Sequence, residues 1–366
     1  MSLQRPKIKV IISGGGTGGH IFPAIAIAQA LLRLNPQNEL LFVGANGRME
    51  MEKVPAAGFR IVGLDIAGLQ RRFAFSNLLL PFKVIGSLLK ARSIVREFRP
   101  DVAVGVGGYA SGPLLFAASG MNVPTLIQEQ NSFAGVTNRI LSRRAERICV
   151  AYSGMEKYFP TDKTTLTGNP VRADLKDIEG KREEGLVYFG LADRKPVVLV
   201  IGGSLGARTI NRAILAGKDK FEREGVQVLW QTGKGGADYA SYSDHSLKVL
   251  PFIQRMDLAY AVADVVVSRA GASSVSELAL AKKAAILVPS PNVAEDHQTK
   301  NAMALVGKDA ALLVEDRSAE TELVDRVLEL LRDLPKRQDL SRKIAGFGMP
   351  DAADVIAGEI YKLSGK

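Results

Sequence analysis

Apolar residues in this chain gather in short unbroken runs, and each run gives way to apolar positions at helical spacing. Ile8 to Ile12 is the first run. Ile21, Ala24, Ile25, Ala28, Leu31 and Leu32 follow it at intervals of three and four. The alternation predicts strands at 8–13, 39–43, 60–64, 102–106, 123–127 and 147–151, with helices between them. Several runs are apolar throughout, the pattern of a parallel sheet covered on both faces. The pattern breaks between Gly168 and Pro196, where Gly168-Asn169-Pro170 signals a turn and 172–184 is dense in charge. It restarts at Val197–Ile201, with further strands at 226–231, 247–250, 264–267, 285–288 and 311–314 and a helix over 352–363. The class is therefore α/β, with an N-terminal domain over 1–168, a linker over 169–196 and a C-terminal domain over 197–349.

Each half opens on a strand, a glycine loop and a helix start. The first is Ser13-Gly14-Gly15-Gly16-Thr17-Gly18-Gly19-His20, with Pro23 placed in a first helical turn, where its missing N–H costs nothing. The second, Gly202-Gly203-Ser204-Leu205-Gly206-Ala207, aligns with Gly15 to His20 position for position. Such a loop offers backbone N–H groups and the positive end of a helix dipole to an anion. Its plain alternative is a tight turn that needs positive φ. Thr17 matches Ser204 and Gly19 matches Gly206, but His20 matches Ala207, so the turn itself does not require the imidazole. One loop mainly holds an anion; the other also handles a proton. Gly14, Gly16 and Gly19 satisfy G-x-G-x-x-G, yet the second strand runs into Gly44-Ala45-Asn46-Gly47 without the carboxylate that a dinucleotide site wants. No Lys-Ser/Thr follows, so this is not a Walker loop. The duplication implies two similar domains with a cleft between them.

Bulk composition narrows the partners. A chain of 366 residues is long for one core. Its one cysteine, Cys149, lies in an apolar run and reads as a buried thiol rather than a nucleophile. No signal segment and no apolar stretch of about 18 residues is found, which argues against a membrane span. The net charge is +10, and it is uneven: residues 1–170 hold 20 Lys and Arg against 10 Asp and Glu, the remainder 28 of each. An anionic partner for the first half follows. Phe73, Phe75, Leu79 and Phe82 lie among Arg71, Arg72 and Lys83, a mixture suited to an anionic membrane surface or, for the apolar members, to a core.

Candidate chemistry sits in polar turns after strands. His20 is one of three histidines and suits general-base work near neutral pH, or a helix start. Gly105 to Pro113 is a further glycine-rich turn carrying Tyr109. Gln128-Glu129-Gln130-Asn131-Ser132 offers Glu129 or Asn131 to sugar hydroxyls, or a helix cap. Ser274 and Glu277 have capping-box spacing, which makes a cap the plain reading of Glu277; the sharper one is a carboxylate for two ribose hydroxyls. Gln298 opens a helix and could meet a sugar. No two histidines share ligand spacing and no D-x-D occurs, so a metal is not called for; Arg172 and backbone N–H groups would meet diphosphate charge.

Taken in order, GGGTGGH (14–20), GVGGYASGP (105–113), EQNSFAG (129–135), TGNPVR (167–172), GGSLGA (202–207) and RAGASSVSE (269–277), with Asp296-His297-Gln298 and Asn301-Ala302, resemble the MurG-type family of bacterial cell-wall N-acetylglucosaminyltransferases over about 8–360. The resemblance implies GT-B architecture: two Rossmann-like parallel-sheet domains facing a central cleft, with a C-terminal helix at about 350–366 packing back on the first. It implies inverting transfer of GlcNAc from UDP-GlcNAc to the 4-hydroxyl of MurNAc in undecaprenyl-pyrophosphoryl-MurNAc-pentapeptide, giving the lipid-linked disaccharide precursor of peptidoglycan. The family works on the cytoplasmic face of the cell membrane, peripherally bound to anionic phospholipid, with no cofactor, no metal and no nucleic acid. Other cell-wall synthesis and division proteins are its expected partners.

By motif, Thr17, Gly18, Gly19, Asn131, Arg172, Ser204, Ile253, Ala272, Ser273, Ser274, Val275, Ser276, Glu277 and Gln298 would contact UDP-GlcNAc, Glu277 at the ribose. Gly14, Gly15, Gly16, Gly108 and Tyr109 would face the acceptor. His20, Glu129 and Tyr109 are the catalytic candidates, with His20 as base. The chain departs from the family at Gln128, where a His is common, and at Leu205, where a Gln is common. Neighbouring readings are a diacylglycerol glycosyltransferase, a UDP-GlcNAc epimerase and, in another class, a non-catalytic module for anionic surfaces.

Overall fold

The computed structural model describes residues 5–66, 80–203 and 205–366. The chain divides into two compact units, Met1–Arg172 with Asp351–Lys366, and Ala173–Pro350. The first holds β1 (Lys9–Gly14), β2 (Glu39–Ala45), β3 (Ile61–Leu64), β4 (Val102–Gly107), β5 (Thr125–Glu129), β6 (Arg147–Val150) and β7 (Thr164–Leu166) in the order β3-β2-β1-β4-β5-β6-β7. The second holds β8 (Val197–Ile201), β9 (Gln227–Gln231), β10 (Leu247–Leu250), β11 (Val265–Ser268), β12 (Ala285–Leu287) and β13 (Leu312–Leu313) in the order β10-β9-β8-β11-β12-β13. Every pairing is parallel. The second sheet repeats the order of the first six strands of the first, so the duplication seen in the loops extends to topology, and both units are Rossmann-like. Only β7 lacks a counterpart among the expected strands: it is three residues long, at the sheet edge, and Thr-Thr-Leu makes no apolar run.

Strand period explains the layers. Val10 and Ile12 of β1 pack with Ile21, Ala24 and Leu31 of helix Gly18–Leu34 and with Ile356 and Ile360 of helix Ala352–Ser364. Ile11, pointing the other way, packs with Ala91 and Val95 of helix Leu80–Phe98, Leu114 and Leu115 of helix Ser111–Ser119, and Leu141 of helix Val136–Leu141. In the second unit Val198 and Val200 meet Ile210 and Ile214 of helix Arg208–Ala216, with Leu323 and Val327 of helix Ala319–Arg332 in the same cluster. Each such Val, Leu or Ile side chain contributes about 1.5–3 kcal/mol on burial. Helix Ala352–Ser364 is fastened to the first unit by Asn38 Nδ2 donating to Tyr361 Oη at 2.8 Å, and by ion pairs Arg33–Asp354 at 2.7 Å and Arg147–Glu359 at 2.9 Å. Helix Arg182–Phe189 lies against helix Met256–Val262, where a Cβ on Gly185 would come within 2.6 Å of Val262.

One local expectation is corrected. Helix Gly18–Leu34 begins three residues before Ile21, with Thr17 as its N-cap, so Gly18, Gly19 and His20 form its first turn. Pro23 is therefore inside the helix rather than in its first turn, and cannot donate to the Gly19 carbonyl.

Each sheet reverses strand order beside its first strand, between β1 and β4 and between β8 and β11. Ligands of open parallel sheets bind beyond the carboxyl ends of strands at that point. Both glycine loops lie there.

Candidate functional site

In the first unit the loop after β1 is locked by three side chains or turns. The Gly16 N–H donates to Glu50 Oε2 at 2.8 Å, and the Ala45 N–H at the end of β2 donates to Glu50 Oε1 at 3.0 Å. Glu50 is buried. The Gly15 N–H donates to the Gly107 carbonyl at 3.2 Å, which ties the loop to the turn after β4. His20 Nδ1 lies 3.0 Å from the Gly15 carbonyl. A carbonyl only accepts, so Nδ1 is the donor in this bond, and in the neutral imidazole the lone pair then falls on Nε2. The glycines are there to admit these groups. A Cβ on Gly15 would stand 2.2 Å from Glu50 Oε1, and one on Gly107, whose φ is +108°, 2.6 Å from the His20 ring. Gly108, at φ +92°, would strike the Gly15 carbonyl in the same way.

Tyr109 is half exposed, with the Arg48 guanidinium 5.8 Å from its ring centre. Glu129, at the end of β5, is 2% exposed. Its Oε1 accepts from the Asn131 N–H at 3.1 Å and Asn131 Nδ2 at 3.2 Å, and its Oε2 from the Gly135 N–H at 3.1 Å and Asn138 Nδ2 at 2.8 Å. The carboxylate thus moulds the loop 129–138. Gln128 is fully buried, donating to Asn169 Oδ1 at 3.0 Å and accepting from Gln130, while Asn169 donates to the Gln130 carbonyl at 3.0 Å. An amide with both a donor and an acceptor closes this network. The Arg172 guanidinium lies 5.9 Å from the ring of Phe22, in the second turn of helix Gly18–Leu34. It therefore adds a cation near that helix's positive end.

In the second unit Gly203 and Gly206 both take positive φ, +83° and +85°. A Cβ on Gly206 would meet the Thr232 carbonyl at 2.1 Å. Leu205 points out and is 70% exposed; Ser204 lies outside the described residues. Gln231, at the end of β9, ties this loop to the next segment: its Nε2 donates to the Gly203 carbonyl at 3.3 Å and its Oε1 accepts from the Ile253 N–H at 2.9 Å. Helix Ala272–Leu280 has Gly271 as its N-cap, with no side-chain cap bond. Ser274 is inside the helix, so the capping-box alternative for Glu277 fails. Glu277 Oε2 instead accepts from the buried Tyr260 hydroxyl at 3.2 Å. Ala272 and Val275 are buried, Ser276 Oγ donates back to the Ala272 carbonyl at 3.0 Å, and Ser273 Oγ is a buried hydroxyl. Gln298 Oε1 accepts from the Ser290 N–H at 2.9 Å, after Glu295 and Asp296 at φ +56° and +50° bend the chain into helix His297–Val306.

The first unit thus gathers Gly14 to His20, Gly108, Tyr109, Glu129, Asn131 and Arg172 at its strand ends or on the loops that leave them. The second does the same for Gly202, Gly203, Leu205 to Ala207, Ile253, residues 272–277 and Gln298. Glu50, Gln231 and Tyr260 join them without having been singled out in the sequence. Each is distant in the chain from the loop it serves. Burial pushes the Cys149 thiol up to about 12, helped by Glu359, so it is no nucleophile. Among the described residues no group of three or more His, Cys, Asp or Glu is placed to hold a metal ion. Of the basic apolar patch, Arg71, Arg72, Phe73, Phe75 and Leu79 lie outside the described residues, while Phe82 and Lys83 fall in helix Leu80–Phe98.

Two family models cover most of the chain: the glycosyltransferase family 28 N-terminal domain over residues 10–150 and the glycosyltransferase family 28 C-terminal domain over 197–356. The UDP-N-acetylglucosamine–N-acetylmuramyl-(pentapeptide) pyrophosphoryl-undecaprenol N-acetylglucosamine transferase of Parabacteroides distasonis is 54% identical over 365 residues, 98% of this chain and 99% of that one. The crystal structure of Acinetobacter baumannii MurG matches with a TM-score of 0.78 and 29% identity, over 98% of this chain and 100% of that one. The UDP-GlcNAc 2-epimerase from Neisseria meningitidis bound to UDP-GlcNAc matches with a TM-score of 0.69 at 13% identity, over 97% and 100%. That last likeness is one of fold alone.

Proposed function

This chain belongs to glycosyltransferase family 28 and has its GT-B fold, and from that premise we propose that it transfers GlcNAc from UDP-GlcNAc to the 4-hydroxyl of MurNAc in undecaprenyl-pyrophosphoryl-MurNAc-pentapeptide, with inversion. The observation that carries the reading is the unequal construction of its twin loops. In the first, the Gly16 N–H already serves the Glu50 carboxylate, so a diphosphate there would meet like charge. That loop instead presents an imidazole held through Nδ1 at the Gly15 carbonyl. The second has Ala207 at the histidine's position and glycines at positive φ ahead of helix Arg208–Ala216, which suits it to the donor diphosphate.

In the proposed reaction His20 Nε2 removes the proton from the acceptor hydroxyl as its oxygen attacks the anomeric carbon. The bond to UDP breaks on the opposite face, and the charge on the leaving diphosphate is met by backbone N–H groups around Ser204 and by Arg172. Glu277, held by Tyr260, takes the ribose; Ile253, the helix start at 272–276 and Gln298 line the rest of the donor. Thr17, Gly18, Gly19 and Asn131 complete the sugar contacts, with Glu129 holding Asn131 in place. Gly14 to Gly16, Gly108 and Tyr109 face the acceptor. No metal or cofactor is assigned.

The acceptor is lipid-linked, and the first unit carries a surface for its membrane. Helices Leu80–Phe98, Ser111–Ser119 and Val136–Leu141 cover one face of the first sheet. These helices expose Ile85, Leu89, Phe116, Val136 and Ile140, and Lys90, Arg139, Arg143 and Arg144 on them or directly after them are exposed too. The Arg144 guanidinium sits 4.4 Å from the Phe116 ring centre. We read this as a peripheral site for anionic phospholipid on the cytoplasmic face. Among the described residues no helix is long and apolar enough to cross a membrane.

Radiolabelled GlcNAc transfer from UDP-GlcNAc to the muramoyl lipid, with and without chelator, tests the whole reading. Transfer undiminished by chelator is expected. Transfer to diacylglycerol instead, or conversion of UDP-GlcNAc with no acceptor, would replace it with one of the neighbouring activities.

A further inference from the structure

Glu50 and His20 are bonded to the two ends of one peptide group. Glu50 Oε2 accepts from the Gly16 N–H at 2.8 Å, and His20 Nδ1 lies 3.0 Å from the Gly15 carbonyl. That N–H and that carbonyl belong to the same planar unit, so a bond at one end polarises the other. We propose that Glu50 is a positioning residue for His20, acting through the Gly15–Gly16 peptide: a carboxylate, a peptide and an imidazole in series.

The carboxylate draws the Gly16 proton and makes the Gly15 oxygen a stronger acceptor. That oxygen holds the proton on Nδ1 and keeps the lone pair on Nε2. As Nε2 takes a proton from substrate, the positive charge that develops on the ring is shared along the series toward the buried carboxylate. A carboxylate bonded directly to an imidazole does the same in hydrolytic triads; here one peptide stands between them.

Three features show that the arrangement is built rather than incidental. Glu50 is 1% exposed and has a second backbone donor, the Ala45 N–H at 3.0 Å, so its carboxylate is fixed from the loop after β1 and from the end of β2. Gly15 and Gly44 both lack the Cβ that would come within 2.6 Å or less of the Glu50 side chain. Gly107 lacks the one that would strike the imidazole, and Gly108 the one that would displace the Gly15 carbonyl. Four glycines on three strand ends therefore clear the path of a single relay.

The inference rests on the reading of His20 as base, and the test separates the two. Three histidines make the imidazole 15N spectrum of the full chain assignable. In the unaltered protein the His20 signals should report the Nδ1–H tautomer, and Glu50→Gln should shift them toward a mixture. Its carboxamide keeps the volume but brings an NH2 against a backbone N–H. The same variant should lose about 10- to 100-fold in kcat, less than outright loss of a base, with KM for both substrates little changed. In a His20→Ala background, Glu50→Gln should cost nothing further, because a residue acting through His20 has nothing left to act on.

An Nε2–H tautomer in the unaltered protein overturns the relay, as does a Glu50→Gln loss that multiplies with the His20→Ala loss. If Glu50→Gln does not fold, the tautomer of the unaltered protein still decides. Full activity in His20→Ala overturns the base while leaving the tautomer measurement to judge the relay.

Discussion

Gly107 shows how little room the residue scale leaves at this site. Its φ of +108° is glycine territory, and a methyl there would stand 2.6 Å from the His20 ring. Gly107→Ala should therefore lower kcat by about 10²-fold or more by moving the imidazole, with a modest fall in Tm. Steady-state kinetics beside thermal unfolding would separate the two effects. His20→Ala should cost about 10²–10⁴ in kcat at saturating substrates; nearly full kcat would remove His20 from the role of base. Lys283 is a residue-scale feature of another kind. Burial holds its amine down at about 8, with its Nζ donating to the Ala263 carbonyl at 2.9 Å. Above pH 8 the folded chain sheds this proton while the unfolded chain keeps it until about 10.5. The unfolded state then binds more protons, so stability gains with rising pH across that window. Denaturant titrations should show the unaltered protein gaining stability relative to Lys283→Met between pH 8 and 10.5 and not below. His20 was legible in the sequence because its loop has a twin without it. Glu50 was not: it lies 34 residues beyond Gly16, outside the turn that directly follows β2. The carboxylate does reach the end of β2, but from the next helix, and it faces the glycine loop.

At the scale of elements, periodicity succeeded wherever a strand was an apolar run and failed where local geometry decided. The two glycines after Thr17 let a helix begin early, which moved Pro23 into its second turn. Ser274 and Glu277 had the spacing of a cap, but Gly271 ends the extended segment, so the helix starts before the serine. The segments proposed for the donor side are held to one another by side chains that no motif marks. Gln231 is the clearest: one amide bridges the Gly203 carbonyl and the Ile253 N–H, joining the loops that leave β8 and β10. Gln231→Met keeps the bulk and breaks both bonds, leaving a buried N–H without its acceptor. A loss of about 1–3 kcal/mol in stability is expected. The KM for UDP-GlcNAc should rise about tenfold, equivalent to about 1.4 kcal/mol, with a smaller change in kcat. Unchanged donor affinity would show that the strap is structural only.

Across the whole molecule the +10 net charge belongs to the first half, and its sequence already pointed to an anionic surface. The sequence left open which face would carry the proposed membrane site. Phe116 and Ile140 lie on separate short helices, and only the packing of those helices over the same side of the first sheet as helix Leu80–Phe98 gives them a side in common with Ile85 and Leu89. Core residues on those helices, such as Leu114, Leu115 and Leu141, are buried, so the four outward side chains are not needed for the fold. Changing Ile85, Leu89, Phe116 and Ile140 to Ser should therefore leave Tm and UDP-GlcNAc binding almost unaltered. Sedimentation with phosphatidylglycerol vesicles should show binding weakened by at least tenfold, since even partial insertion of one such side chain is worth about 1.5 kcal/mol. Reversing Arg139, Arg143 and Arg144 to Glu acts on the other component. Each cation near the surface contributes about 1 kcal/mol, and that share alone should vanish when salt is raised. If the serine variant binds vesicles as tightly as the unaltered chain while the glutamate variant does not, attachment is electrostatic and the apolar side chains do not enter the bilayer. If neither variant loses binding, this face is not the membrane face.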